Sequence, residues 1–226
     1  MMTSAVNHYF RSSIGRKHLV AITGLLLCGF LIGHLSGNFL LLVGPNAFNI
    51  YGYKLTSLGV GLYVIEALLL LVFLVHMGLA IKLNMENRAA RGDQKYALKK
   101  RTGRGTTLMS ASMPYTGLVL LVFIILHLLN LKFGPHYNIT IDGVEMRDLY
   151  RVTMEHFQNP VNVAWYVFAM ICAALHTMHG FASAFQSLGL NHGKYYSRIK
   201  VISYLYGILV GGGFAFLSVW AYMKGV

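Results

Sequence analysis

The chain has 226 residues, of which 56% are hydrophobic and 12% charged, with a formal net charge of +12. A soluble domain of this length needs more charge to cover its surface, so the composition indicates an integral membrane protein. The basic residues fall between the apolar runs, where the positive-inside rule accounts for them, and nucleic-acid binding is set aside on that ground.

The N-terminal stretch is basic, with Arg11, Arg16 and Lys17, and leads into the apolar run Leu19–Val43. That run is too long for a signal-peptide core and lacks a convincing cleavage site, so it reads as an uncleaved first span. Four further segments match the roughly 20 residues a helix needs to cross a bilayer. The five predicted spans are 19–43, 62–83, 108–131, 161–190 and 201–223. Their apolar runs are continuous rather than alternating, which predicts helices and not strands. The expected fold is an all-α membrane bundle forming one domain over 1–226.

Loop charge sets the expected orientation. Lys and Arg number 14 in the N-terminal stretch, 82–107 and 191–200, against 5 in 44–61, 132–160 and the tail. The N-terminus is therefore expected in the cytoplasm and the C-terminus outside. The basic loop 84–107 suits either a solvated positive face or a landing pad for a cytoplasmic partner. In the outer loop, Tyr137–Ile141, Asp142-Gly143 and Val144–Met146 read as a short hairpin with a type I′ turn. Asp148 then caps a short helix to about Phe157, and the whole is expected to form a lid. Asn138-Ile139-Thr140 matches a glycosylation sequon too weakly to count. No internal repeat or low-complexity stretch is evident. Gly29, Gly33 and Gly37 in the first span serve close helix packing, room for a flat macrocycle beside His34, or both. Cys28 and Cys172 lie in apolar runs and read as packing residues; without CxxC or CxxCH there is neither an iron–sulfur motif nor a covalent haem site.

The first four spans each carry at least one histidine. Imidazole is costly in hydrocarbon unless something binds it. Depth along each helix, taken at about 1.5 Å per residue, places His34 and His127 in the outer half and His76 and His176 in the inner half. The two pairs are expected roughly 10–12 Å apart on that rise. Two imidazoles facing each other across a bundle suit one haem iron with both axial positions filled, which leaves electron transfer as its work. Zinc would need four ligands at one point. The alternative is a set of buried polar contacts or a proton relay. His179, one turn from His176, matches the depth of His76 slightly better.

Taken together, these residues resemble the five-helix, two-haem cytochrome b anchor of succinate dehydrogenases and fumarate reductases. The resemblance spans nearly the whole chain. It rests on FRSSIGRK (Phe10–Lys17), Gly33-His34-Leu35, Val75-His76-Met77 and Leu126-His127-Leu128. Its strongest element is His176-Thr-Met-His179-Gly180 followed by Ser183-Ala-Phe-Gln-Ser-Leu-Gly189. Related anchors commonly read His-x-x-Asn-Gly there, with the first histidine as ligand, which favours His176 over His179. The resemblance implies two haem b groups, the outer on His34 and His127 and the inner on His76 and His176. It further implies a flavoprotein with FAD and an iron–sulfur subunit on the cytoplasmic face, menaquinone as the lipid-soluble partner, and a bacterial cytoplasmic membrane.

Quinone chemistry moves protons, and Glu66 is the one carboxylate inside the five predicted spans. It is the candidate for quinone-linked proton transfer, against the plainer role of an interfacial glutamate. Asn38, Tyr51 and Tyr53 are candidates for the outer quinone pocket. Arg16 is the candidate partner of a haem propionate, because guanidinium pairs well with carboxylate. Two rivals stand beside this reading. One is a haem b anchor of a hydrogenase, formate dehydrogenase or nitrate reductase. The other is a haem-free transporter with a histidine relay.

Overall fold

The computed structural model describes residues 8–9, 12–90, 108–190 and 192–225. Five helices among them are long and apolar enough to cross a membrane: Ser13–Val43, Val60–Ala89, Met109–Lys132, Pro160–Ser187 and Gly193–Lys224. The architecture is an all-α bundle with one small hairpin.

Helix α1 spans Ser13–Asn38, and Ser12 caps it by accepting from the Gly15 amide at 3.1 Å. A short helix α2, Leu40–Val43, continues the span to Gly44. There φ is 132°, which glycine alone adopts easily, and the chain turns into α3, Pro45–Thr56. Treating 44–61 as a loop is thus corrected. Proline at the first turn starts a helix, and α3 is too short and too polar to register as a span. Helix α4 is Val60–Ala89 and α5 is Leu108–His127, followed by a π-helical turn, Leu128–Lys132.

The hairpin forms as expected. Strand β1, Asn138–Ile141, pairs antiparallel with β2, Val144–Arg147. Asp142 and Gly143 both have positive φ, 50° and 78°, as a type I′ turn requires. Helix α6, Leu149–Phe157, follows, and the Asp148 carboxylate accepts from the Arg151 amide at its start. Helix α7 is Pro160–Ser187, and α8 is Gly193–Lys224 with His192 as its cap. Helices α1, α4 and α8 overrun their predicted ends, while α7 stops at Ser187, three residues short. Polar end residues lower the hydropathy without breaking the helix. Of the basic loop 84–107, residues through Ala89 extend α4, and 91–107 lie outside the described residues.

Helix α7 is the hub. It packs on α8, α5 and α1, while α4 packs mainly along α1 and buries none of its residues. The α7–α8 seam is close because small residues line it. A Cβ added at Gly211 would lie 2.7 Å from both the Ala174 Cβ and the Met170 carbonyl oxygen.

The main core sits at the hairpin end, where Leu41, Phe48, Phe123, Met154, Phe157 and Tyr166 meet. Fully buried Asn49 ties α3 to α6 there. It donates to Asp148 at 2.8 Å and accepts from the Tyr150 amide at 2.8 Å. Arg147 donates to the carbonyls of Leu131, Lys132 and Pro135, occupying acceptors that the end of the π turn leaves open. The hairpin layer is thereby fixed to α3 and to the end of the π turn.

Candidate functional site

Two groups of histidines are held at two levels of the bundle. At the hairpin end, His34 on α1 and His127 on α5 face each other, ring centres 5.9 Å apart and planes at 88°. Phe30, one turn before His34, stacks on it at 5.3 Å. Phe123, one turn before His127, stacks on it at 5.5 Å. Phe214 of α8 closes on His34 from a third side. The His127 Nδ1 lies 3.2 Å from the Tyr166 hydroxyl. Asn38 donates to the His34 carbonyl at 2.7 Å and stands 3.4 Å from its Nδ1.

At the other level, His76 Nδ1 lies 3.2 Å from the Val20 carbonyl oxygen and 3.2 Å from Thr23 Oγ1. His176 Nδ1 lies 3.1 Å from Thr116 Oγ1. His176 is within electrostatic range of His76 and His179. Glycines let both rings approach: a Cβ on Gly24 would meet His76 Cε1 at 3.1 Å, and one on Gly117 would meet His176 Cε1 at 3.5 Å. His179 has no hydrogen-bond partner among the described residues, which sets it apart from His176.

One pattern runs through all four histidines. Each Nδ1 has a polar neighbour within 3.5 Å, while among the described residues no Nε2 has a hydrogen-bond partner. A histidine that donates from Nδ1 presents its Nε2 lone pair as a ligand, which the oxygen neighbours of His76, His127 and His176 allow; the neighbour of His34 is an amide nitrogen, which only donates. Two imidazoles either side of one metal ion, with bonds of about 2 Å, would have ring centres about 6 Å apart. The His34–His127 separation matches that, and it also matches edge-to-face ring contact. Gly29 and Gly33 face open space beside His34, whereas a Cβ on Gly37 would meet the Tyr51 ring, 2.3 Å from its hydroxyl. The glycine stripe therefore divides into a packing residue and an open face. Among the described residues, no three His, Cys, Asp or Glu side chains gather at one point, so a tetrahedral zinc site is not assembled. The paired donors and the open glycine face fit haem.

Counted along α1 and α5, the two levels come out farther apart than the depth estimate gave. Gly24 to His34 on α1 and Gly117 to His127 on α5 are ten residues each, about 15 Å at the helical rise.

These contacts also expose a correspondence that a search for whole-span repeats passes over. Residues 23–35, TGLLLCGFLIGHL, and 116–128, TGLVLLVFIILHL, are identical at eight of thirteen positions. In each, the Thr-Gly step meets the histidine of one level and the terminal histidine belongs to the other. Thr23, Thr116, Phe30, Phe123, Gly24 and Gly117 were missed as site residues, and this repeat is the signal that finds them. Tyr166 has no such signal.

The remaining candidates separate. Glu66, near the start of α4, is ion-paired with Lys132 at the end of the π turn, five residues beyond His127. Asn38 and Tyr51 stand near the hairpin-end pair, through His34 and Gly37 respectively. Tyr53 is exposed and sits some 200° round α3 from Tyr51, away from them. Arg16 lies at the opposite end of the bundle, donating to Glu86 at 2.9 Å and so tying α1 to α4. His156, on α6, has its ring 5.3 Å from that of Tyr166 and a buried Nε2 without a partner; burial holds its imidazole below the ordinary histidine value.

No family model, no curated protein and no solved structure matches this chain.

Proposed function

We propose that this chain is a di-haem cytochrome b membrane anchor of a succinate:quinone oxidoreductase in a bacterial cytoplasmic membrane. The observation that carries the haem part is the pair of two-histidine levels, each with Nδ1 anchored and Nε2 without a partner. His34 and His127 would hold one haem b, and His76 and His176 the other. Haem bound through two imidazoles supplies one-electron exchange without an open position for oxygen. The chain's own residues hold the ligands, exclude water with the Phe30, Phe123 and Phe214 rings, and keep the two levels about 15 Å apart along the helices.

The choice of succinate and quinone rests on the resemblance carried by the span motifs. The N-terminal and basic-loop end faces the cytoplasm in this reading and meets the iron–sulfur subunit, which receives electrons from the flavoprotein. The hairpin end faces outward, and menaquinone binds near His34 and His127, with Glu66 passing protons. Asn38, Tyr51 and Tyr53 are the proposed lining of that pocket, with Asn38 and Tyr51 standing nearer the hairpin-end histidines. Arg16 already serves Glu86, and a propionate would have to share its guanidinium.

The test is haem content of the purified chain, measured as pyridine haemochrome with a reduced-minus-oxidised spectrum. Two b-type haems per chain support the reading. One haem refutes one of the two pairs. None in folded protein from cells supplied with ample haem refutes both and leaves the histidine-relay transporter. Co-purification with a hydrogenase- or formate dehydrogenase-type iron–sulfur partner would keep the haems and overturn the succinate assignment.

A further inference from the structure

The two Thr-Gly steps have a consequence for ligand strength, which rests on the haem reading above. Thr23 Oγ1 donates back to the Leu19 carbonyl at 2.7 Å, with Val20 O at 3.2 Å. Thr116 Oγ1 does the same toward Ser112 O at 3.1 Å and Met113 O at 3.2 Å. This back-bonding to the preceding turn is the common habit of threonine inside a helix. A hydroxyl has one proton, and here the backbone takes it. What each threonine offers its histidine is therefore a lone pair. His76 and His176 must supply the proton, from Nδ1. For His76 the Val20 carbonyl requires the same tautomer independently, because a carbonyl only accepts.

We propose that Thr23 and Thr116 are positioning residues that hold His76 and His176 as Nδ1–H tautomers and strengthen Nε2 as an electron donor to one shared haem. An acceptor on Nδ1–H raises the basicity of the imidazole and so favours the oxidised metal. The two threonines are not equal in effect. His76 has Val20 O as a second acceptor, whereas Thr116 is the one hydrogen-bond partner of His176 among the described residues. Thr116 thus carries the larger share. At the other level Asn38 offers His34 Nδ1 an amide nitrogen, which cannot accept a proton in this way, and His127 Nδ1 meets the Tyr166 hydroxyl instead of a threonine, so the threonine clamp is confined to one level.

The experiment is a redox titration of Thr116→Val, Thr116→Ser and Thr23→Val in the full chain, beside wild type. Valine keeps the volume and removes the acceptor; serine restores it. Thr116→Val should retain two haems and raise the midpoint potential of one, leaving the other unmoved. Thr23→Val should raise the same potential by less, and Thr116→Ser should match wild type. Unmoved potentials in every variant, or equal shifts of both haems, would overturn the proposal while leaving the haem reading intact. Should Thr116→Val lose a haem, Thr116→Ser decides: retention with wild-type potential upholds the clamp, and loss shows that the methyl group mattered. A wild-type chain without haem refutes the underlying reading instead, and the proposal with it.

Discussion

An imidazole inside a membrane helix has two nitrogens, and their partners decide its use. His34 shows the argument in one residue: Asn38 stands at its Nδ1, Phe30 and Phe214 cover its faces, and His127 stands 5.9 Å away. Removing it should uncouple the two levels. His34→Ala is expected to lose one haem of two and keep the other, counted as pyridine haemochrome; retention of both would overturn the hairpin-end assignment. Glu66 needs a comparison because it is ion-paired to Lys132. Glu66→Gln should slow quinone-dependent turnover with both haems in place, and Lys132→Gln should slow it much less. Equal losses in the two variants would show that the ion pair, and not proton transfer, is what Glu66 provides.

Helix α7 packs on α8, α5, α1 and α6, and its contact with α8 tolerates almost no added volume. Gly211→Ala would push a methyl to within 2.7 Å of backbone and side chain, while Gly212 has nothing within 4 Å of its Cβ position. Overpacking a fitted seam costs about 1–3 kcal/mol. Thermal unfolding in detergent should therefore show a lowered Tm for Gly211→Ala and an unchanged one for Gly212→Ala. The hairpin layer depends in the same way on one polar residue. Asn49 satisfies the Asp148 carboxylate and the Tyr150 amide from a fully buried position. Asn49→Ala leaves both without that partner, at a cost of about 1–3 kcal/mol. Limited proteolysis should then cut the 132–160 connection sooner than in wild type.

For the molecule as a whole, orientation is the proposal that can be read directly. The basic end carries Arg16, Lys82, Arg88 and Lys194, and the hairpin turn at Asp142 lies beyond the other ends of the same helices. With Cys28 and Cys172 replaced by Ala, a cysteine at Asp142 should react with an impermeant maleimide from outside intact cells. One at Arg88 should react only after the membrane is opened. The opposite pattern would invert the positive-inside reading and move the quinone pocket to the cytoplasmic face.

Much of this was legible along the chain because it depends on local chemistry. Long apolar runs specify helices in any membrane, since backbone groups in hydrocarbon must bond to one another. Asp142-Gly143 supplied the two positive-φ residues of the hairpin turn, and Asp148 capped the following helix, both one-dimensional signals. The histidines announced themselves because polar side chains in apolar runs need a reason. Tertiary structure decided the rest. The separation of the two levels, the helix over Pro45–Thr56 and the Glu66–Lys132 ion pair depend on how helices pack side by side. So do the anchors at Nδ1: Thr23 and Tyr166 lie 53 and 39 residues from the histidines they meet. Composition and periodicity carry no record of such distances, because a hydroxyl within a hydrophobic run looks the same whether it faces lipid or a ligand.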